Sequence, residues 1–319
     1  MEPRLSVVIV SWNVRELLRR ALVSLEAAWA QGGEPPERLE VIVVDNGSHD
    51  GTVAMVREEF PHVRLIANRE NRGFTGGNNQ GIRIARAPVL FLLNPDTEVV
   101  GDAPSQLLAY LDAHPRVGMV GPKLLNADGT VQSSRRRFPT LPVLFLESTW
   151  LQGLARPWLR RYYVEDRPDD RIQPVDWITG AAMMVRRSVL DEVGLFDEGF
   201  FMYSEELDLC RRIRAAGWEI VYLPTAQVFH YVGKSSEQVV AARHIHFQAS
   251  KVRYARKYHG AVVAELLRRW LLAQYLWQMG VEGGKLLLGH RPDLRRERLR
   301  AYREVLASGL REPREGRGA

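Results

Sequence analysis

Acidic side chains stand at three points of the chain where they could do chemistry as well as solvate a surface. Asn94-Pro95-Asp96 follows the uniformly apolar run Val89–Leu93. A carboxylate at the end of a buried strand can bind a hard divalent cation that also takes diphosphate oxygens; the plainer reading is an Asp that caps a turn. Asp45 closes another apolar run, Leu39–Val44. It is placed either to accept a hydrogen bond from a pyrimidine N3–H or to cap the turn that follows. Glu205, Glu206 and Asp208 come directly after the aromatic stretch Phe200-Phe201-Met202-Tyr203. Acidic first turns suit the helix dipole and are common for that reason alone, with Ser204 a candidate cap. The preceding aromatics are expected to bury the cluster partly, and a partly dry carboxylate pair is what general-base chemistry needs.

The surrounding pattern supplies the elements that would hold these groups. Leu5–Val10 and Leu39–Val44 are β-branched runs, and between them Leu17, Leu18, Ala21, Leu22 and Leu25 recur at helical spacing. Strand, helix, strand is the mark of a parallel βαβ unit. The alternation continues with a helix over Val53–Phe60 capped by Asp50 or Thr52, a strand Val63–Ala67, a helix Asn78–Ala85, the strand Val89–Leu93, a helix Pro104–His114 and a strand Val117–Gly121. Ser133–Arg171, broken by Pro139, Pro142, Pro157 and Pro168, reads as a long excursion, partly mobile. Order returns at Val175–Val185, followed by a helix Ser204–Ala216 and short strands Glu219–Leu223 and Val228–His230. The fold class is therefore α/β, a doubly wound, mostly parallel sheet. Ligands of such sheets sit outside the carboxyl ends of the strands. There the sequence places Ser11-Trp12-Asn13, Asp45 to Thr52, Asn68 to Asn79, and Asn94 to Thr97, all small or polar.

Composition narrows the choices. The 319 residues are 45% hydrophobic and 26% charged, enough to bury a sizeable core. One cysteine, Cys210, leaves no disulfide framework and no cysteine zinc site. The start of the chain lacks the charged segment, apolar run and small-residue cleavage site of a signal peptide, and no stretch reaches the ~18 apolar residues of a spanning helix. A cytoplasmic protein is expected, with attachment at the inner face of the membrane still open. The net charge of +6 is spread through helices and tail with no nucleic-acid reading motif, so no nucleic-acid partner is expected. Neither GxGxxG nor GxxxxGK[ST] occurs at a strand end, which argues against hydride transfer and P-loop chemistry. Gly73–Gly77 could bring backbone N–H groups to a phosphate.

Taken together, Val7 to Asn13, Val44 to Thr52, Asn71-Arg72-Gly73-Phe74 with Gly77-Asn78-Asn79, and Leu93 to Asp96 resemble the motifs of the inverting family-2 glycosyltransferases of GT-A fold, most closely the rhamnosyltransferase-like branch. Gly180-Ala181, Gly194 to Glu198, Phe201 to Arg212, and His230 with Gly233-Lys234-Ser235 continue the likeness, which runs over about Leu5–Ser235. The resemblance implies a catalytic domain at 1–235, with a sugar-nucleotide half at 1–125 and an acceptor half at 126–235, and a helical extension with a basic tail at 236–319.

It also implies roles. Asp45 would recognise the nucleobase with Ser11 and Asn13, and Asn71, Arg72, Gly73, Asn78 and Asn94 would join them in binding the nucleotide-diphosphate sugar. Asp96 would bind Mg²⁺ or Mn²⁺. His230 is either a further metal or diphosphate ligand or a structural histidine. Glu205-Glu206 corresponds to the family's acidic dyad, with Glu206 the base; Glu205 and Asp208 are alternatives. Two departures stand out: Asn94 where many relatives carry Asp, and Glu206 where Asp is usual. The Gln-x-x-Arg-Trp element of processive synthases is missing, which implies single additions. The implied reaction is transfer of one sugar, with inversion, to a hydroxyl of a saccharide or lipid-linked saccharide in envelope or extracellular polysaccharide synthesis. A nucleotidyltransferase and a non-catalytic sugar-nucleotide or glycan binder are the alternatives.

In the C-terminal region Val263, Leu266, Leu267, Trp270 and Trp277 fall on one side of a helix, opposite Glu265, Arg268 and Arg269. Such a helix packs on the protein, pairs with a second copy in a homodimer, or lies in a membrane interface. The run Arg135-Arg136-Arg137 reads as a solvated basic face or as a contact for phosphates or anionic head groups. Arg291–Arg317 is expected to fray.

Overall fold

The computed structural model describes residues 2–231 and 240–311, so Gly233-Lys234-Ser235 and the last residues of the basic tail lie outside the described residues. The chain divides into two compact units: one of residues 2–138, 161–198 and 205–231, the other of residues 139–160, 199–204 and 240–311.

The first unit is built on β1 (Leu5–Ser11), α1 (Arg15–Gln31), β2 (Leu39–Asp45), α2 (Thr52–Glu59), β3 (Arg64–Ala67), α3 (Gly73–Ile84), β4 (Val89–Leu93), β5 (Thr97–Val100), α4 (Ala103–Ala113) and β6 (Val117–Leu125). Short strands β7 (Val131–Gln132) and β8 (Arg135–Arg136) follow. Beyond them come β9 (Gln173–Pro174), β10 (Trp177–Ile178), β11 (Ala182–Arg186), a helix over Arg187–Val193, a helix over Glu205–Ala215, and β12 (Glu219–His230). The main sheet has the order β3-β2-β1-β4-β11-β6-β12-β5, with β7 beside β6 and β9 beside β12. From β3 to β4 it is parallel, and β1 and β4 are buried at every position, as strands covered on both faces must be. Beyond β4 the sheet is mixed: β11 runs antiparallel to both β4 and β6, and β12 is parallel to β6 but antiparallel to β5. β8 and β10 form a separate ribbon.

Three local expectations change. The helix expected at Asn78 starts at Gly73; Gly73 itself sits at φ 74°, while Gly76 and Gly77 are helical backbone and not an open phosphate loop. Its glycines serve packing: a Cβ on Gly77 would lie 2.7 Å from Val10 Cγ1, and one on Gly81 2.4 Å from Val8 Cγ1. The two short final strands are one strand, β12, irregular between Leu223 and Gln227, where Pro224 removes a ladder donor. The excursion from Ser133 carries β7 to β10 in part, and helices over Leu141–Leu146 and Arg156–Tyr162. Its arginines are not a solvated face. Arg135 is buried with its guanidinium 5.1 Å from the Tyr222 ring, and Arg137 forks onto both oxygens of Asp166 at 2.7 and 2.8 Å.

The second unit is helical. Its longest element, Val240–Leu287, is two helices meeting at Gly260, whose φ of 86° and ψ of 166° break the helix in a region open to glycine. The last helix spans Pro292–Ser308, so the expected fraying does not reach it. Arg295 on it meets Glu282 at 2.6 Å, both buried. The face grouped from the sequence splits: Leu267 is buried with Ala264, Leu271 and Tyr275, whereas Leu266 and Trp277 are exposed. Trp270 Nε1 donates to the Phe145 carbonyl at 2.7 Å. Among the described residues no helix is long and apolar enough to cross a membrane.

The contact of α3 with β1 makes an opposed pair of substitutions. Alanine in a helix interior normally gains about 0.8–1.0 kcal/mol over glycine. At Gly76 the nearest added contact is the Arg72 side chain at 3.3 Å, which can yield, so Gly76→Ala is expected to be neutral or stabilising. Gly81→Ala meets Val8 in the core and is expected to lose about 1–3 kcal/mol. Urea denaturation of the two variants reads the difference; equal effects would contradict the packing role.

Candidate active site

The parallel register sets Ser11 beside Asp45 at the ends of β1 and β2. Asp45 Oδ2 accepts N–H bonds from Gly47 at 3.1 Å and Ser48 at 2.9 Å, which is the turn-capping role. Its Oδ1 and the Ser11 hydroxyl are both buried without a hydrogen-bond partner, so the second role stays available: two polar atoms at adjacent strand ends that a ring N–H or hydroxyl would satisfy. Asn13, at φ 52°, latches the two loops, accepting the His49 N–H at 2.8 Å while its own N–H donates to Ser48 Oγ at 2.8 Å. Asp50 ties the starts of α1 and α2 by accepting the N–H groups of Arg15 and Thr52.

The asparagines around α3 are mostly structural. Asn71 Oδ1 accepts the Gly73 N–H at 2.9 Å and starts the helix, and Asn46 Nδ2 donates to the Gly73 carbonyl at 2.9 Å. Asn78 is buried with its amide on the Phe74 carbonyl. Arg72, just before α3, keeps an exposed side chain. Asn79 explains the Gly194 to Glu198 motif: its amide donates to the Phe196 carbonyl and to Glu198, and accepts the Phe196 N–H. Arg212 grips the same turn through the carbonyls of Val193, Gly194 and Leu195 and pairs with buried Asp208 at 3.0 Å. Asp208 therefore acts as the anchor of that clamp and leaves the dyad to Glu205 and Glu206.

Asn94 and Asp96 leave the end of β4, and His230 ends β12. His230 Nε2 lies 3.3 Å from Asp96 Oδ1 and 3.4 Å from Asn94 Nδ2. Its other nitrogen, Nδ1, is 2.7 Å from Gln132 Oε1. Gln132 is oriented by its own amide donating to Asn126 Oδ1 at 2.9 Å, so its carbonyl faces the ring and the proton sits on Nδ1. Nε2 thus faces the Asp96 carboxylate while Gln132 fixes the ring from its far side, as the rings of ligating histidines are held. Asn94 Oδ1 is buried and without a partner. Asp96 and His230 offer the oxygen and nitrogen that a divalent cation can take when water and substrate phosphates complete its shell. Among the described residues no group of three or more His, Cys, Asp or Glu side chains is arranged to hold a metal ion.

The dyad opens the helix over Glu205–Ala215. Ser204, the candidate cap, has φ 63°, outside the extended conformation of a capping residue. Burial pushes the Glu205 carboxyl well above the ordinary carboxylate range, and the neighbouring charge of Glu206 adds to this. Burial also raises Glu206, but N–H bonds from its own amide, Gly180 and Leu207, with the Arg136 guanidinium, favour its charged form. A proton held by the pair belongs on Glu205, which leaves the charge on Glu206. Arg136 is held in place by the Tyr163 ring, 4.5 Å from its guanidinium carbon, and by Ser133 Oγ at 2.8 Å. Cys210, on the same helix, has its thiol pushed up to about 12 by burial and is inert.

One segment joins the two acidic sites. The Asn94 N–H donates to the Ala181 carbonyl at 2.9 Å, while the neighbouring Gly180 N–H binds the Glu206 carboxylate. A Cβ on Gly180 would lie 3.7 Å from Glu206 Cβ. Sequence reasoning places the carboxylates but misses Gln132, Arg136 and the structural part of Asn79 and Arg212; only the tertiary pairing reveals these.

Residues 6–194 match the glycosyl transferase family 2 domain, and residues 129–290 match glycosyl transferase family group 2. The chain belongs to glycosyl transferase family 2. It is 32% identical to an N-acetylglucosaminyl-diphospho-decaprenol L-rhamnosyltransferase of Mycobacterium tuberculosis, over 94% of this chain and 97% of that one. It is 38% identical to the rhamnosyltransferase WbbL of Escherichia coli over 70% of this chain and 82% of the relative. The mannosyltransferase PcManGT of Pyrobaculum calidifontis, solved with GDP-Man and Mn²⁺, superposes with a TM-score of 0.55 over 99% of this chain and 89% of that one at 17% identity. GalNAc-T7 with UDP, GalNAc and Mn²⁺ gives 0.57 over 97% and 57% at 16% identity. The expected GT-A fold is thereby established, and the protein is a glycosyltransferase, not a nucleotidyltransferase or a bystander binder.

The environment of Glu205 predicts a pH dependence of stability. Its folded pKa lies above that of the unfolded chain, so the native state holds the proton more tightly. That contribution is fully present below the unfolded value and is lost as pH rises through the folded one. Glu205→Gln keeps the neutral shape at every pH. It is expected to raise the melting temperature more at pH 8 than at pH 5, checked by thermal unfolding in the two buffers; a larger gain at pH 5 would reverse the assignment.

Proposed function

We propose that this chain transfers a single sugar, a rhamnosyl group, from a nucleotide-diphosphate sugar to a hydroxyl of a lipid-linked saccharide, with inversion, in the building of an envelope polysaccharide. The observation that carries the reading is the Gly180-Ala181 bridge, which holds Glu206 and Asn94 through the backbone of two adjacent residues. The names of the mycobacterial and Escherichia coli relatives support the rhamnosyl donor and, for the former, a polyprenyl-linked acceptor.

In this reading Asp45 Oδ1 and the Ser11 hydroxyl take the polar edge of the nucleobase, with Asn13 holding their loop. Arg72 and Gly73 at the start of α3 border the donor, and Asn71 and Asn78 act by shaping that helix. Asp96 and His230, with Asn94 Oδ1, hold Mg²⁺ or Mn²⁺, the latter present in both structural neighbours. The bound ion supplies positive charge to the departing diphosphate. Glu206 takes the proton of the acceptor hydroxyl as that oxygen attacks the anomeric carbon from the face opposite the diphosphate. One C–O bond forms, the bond to the phosphate oxygen breaks, and the configuration inverts. Glu205, kept neutral, leaves the negative charge on its neighbour.

A lipid-linked acceptor calls for contact with a membrane surface, and the helical unit offers it. Trp150 and Trp277, each 56% exposed, lie tilted against each other with ring centroids 5.6 Å apart, and Leu154, Trp158, Leu266 and Leu276 of the same unit are also exposed. Tryptophans with flanking arginines suit a lipid interface. The protein would work at the inner face of the cytoplasmic membrane as a peripheral enzyme.

Two experiments follow. Glu206→Gln is expected to cut transfer by at least ~10²-fold with sugar-nucleotide affinity unchanged in calorimetry, whereas Asp96→Ala weakens donor binding in the presence of Mn²⁺. Retained turnover in the first or unchanged affinity in the second removes that residue from the mechanism. Wild-type protein is expected to co-sediment with vesicles containing anionic lipid and Trp150→Ala/Trp277→Ala to stay in the supernatant; equal partition would remove the membrane contact.

A further inference from the structure

The helical unit encloses a cavity of about 550 Å³, within the roughly 300–1,000 Å³ of small-molecule sites, and all of its lining residues belong to that unit. Two glutamines on its wall are unlike ordinary lining residues. Gln248 and Gln274 are each only 5% exposed, yet the carbonyl oxygen of each is buried without a hydrogen-bond partner. Buried polar atoms are nearly always paired, and an amide left short of a partner destabilises the fold that holds it.

The orientation of Gln248 is not arbitrary. Its amide hydrogen-bonds the Tyr275 hydroxyl, and that hydroxyl lies 3.1 Å from His244 Nδ1. Burial and the charge of Arg243 lower the pKa of His244, so the imidazole is neutral and accepts from Tyr275. With the Gln248 NH₂ used in this relay, its carbonyl oxygen is the end left over. The rest of the wall is aromatic. Tyr275 and Tyr302 lie edge to face with centroids 5.4 Å apart, and Tyr203 and Phe247 do the same at 5.5 Å.

We propose that this cavity is a carbohydrate-binding site, separate from the donor and base residues described above. Two unpaired carbonyl oxygens need hydrogen-bond donors, which sugar hydroxyls and an N-acetyl N–H supply. Aromatic edges and faces suit the C–H face of a pyranose ring. An acyl chain would leave both amides unsatisfied, and an anion would meet two acceptor oxygens and a single guanidinium. A neutral pyranose saccharide is the class that meets both demands.

The inference does not rest on the transfer reaction, and its test separates the two. Saturation-transfer NMR on the full chain would use N-acetylglucosamine as the probe and inorganic pyrophosphate as the contrasting anion. Wild type is expected to transfer saturation to the sugar, with pyrophosphate failing to compete. Gln248→Leu/Gln274→Leu is expected to weaken sugar binding at least about tenfold, and the signal is expected to persist in Asp96→Ala, whose loss affects the donor side alone. Tyr302→Ala, on the last helix, gives an independent reading should the double variant fail to fold, with circular dichroism melts as the check on both. No transfer to the sugar in wild type, equal transfer in a folded cavity variant, or displacement by pyrophosphate would each overturn the assignment.

Discussion

The antiparallel pairing of β11 with β4 is the constraint on which the chemistry depends. Ala182 faces Leu93 in that ladder, so the residues just before β11 must run beside those just after β4. Asn94 then bonds Ala181, and Gly180 presents its N–H to Glu206. Two acidic motifs more than a hundred residues apart are thereby coupled through the backbone of two consecutive residues, whose planar peptide groups do not flex the way side chains do. A bulky side chain at Gly180 would press on both Glu206 and Phe74, each 3.7 Å from the place its Cβ would take; the glycine keeps that approach open.

Electrostatics divides the labour within this frame. Glu205 and Glu206 are adjacent, and two carboxylates so close do not both ionise freely in a dry site. The difference between them lies in their surroundings: each keeps its Oε2 without a hydrogen-bond partner, but the N–H groups of Gly180 and Leu207 and the Arg136 guanidinium favour charge on Glu206, whereas Glu205 meets the charge of its neighbour. At the other end of the bridge the proton on His230 is set by Gln132, which is itself set by Asn126. Both ends thus obtain their protonation from neighbours that a motif does not contain.

This explains what is legible in the sequence. The parallel half of the sheet is, because β1 and β4 are apolar at nearly every position and α1 carries its inner face at helical spacing. The acidic motifs are, because carboxylates beside buried runs are conspicuous. The start of α3 is not: glycine and asparagine favour turns in isolation, and only the closeness of α3 to Val8 and Val10 makes glycine the fitting residue inside that helix. The arginines at 135–137 mislead for a similar reason. Their partners, Tyr222, Tyr163 and Asp166, come from distant parts of the chain. The single strand β12 hides behind Pro224, which interrupts pairing without ending the strand.

The two departures from the family pattern find physical compensation. Asn94 brings one negative charge fewer than an aspartate would, but it keeps an acceptor oxygen, and that oxygen is buried without a partner while its Nδ2 faces His230. A neutral carbonyl can still ligate a hard cation, and the imidazole Nε2, 3.3 Å from Asp96 Oδ1, is a nitrogen that the short motif does not contain. Glu206 is one methylene longer than the usual aspartate, and a longer side chain has more rotamers to lose. Here the backbone N–H groups of Glu206, Gly180 and Leu207 favour its charged form while Oε2 has no partner, so part of the added reach is already held. The same bridge that brings the motifs together therefore also absorbs the variation between this chain and the usual pattern.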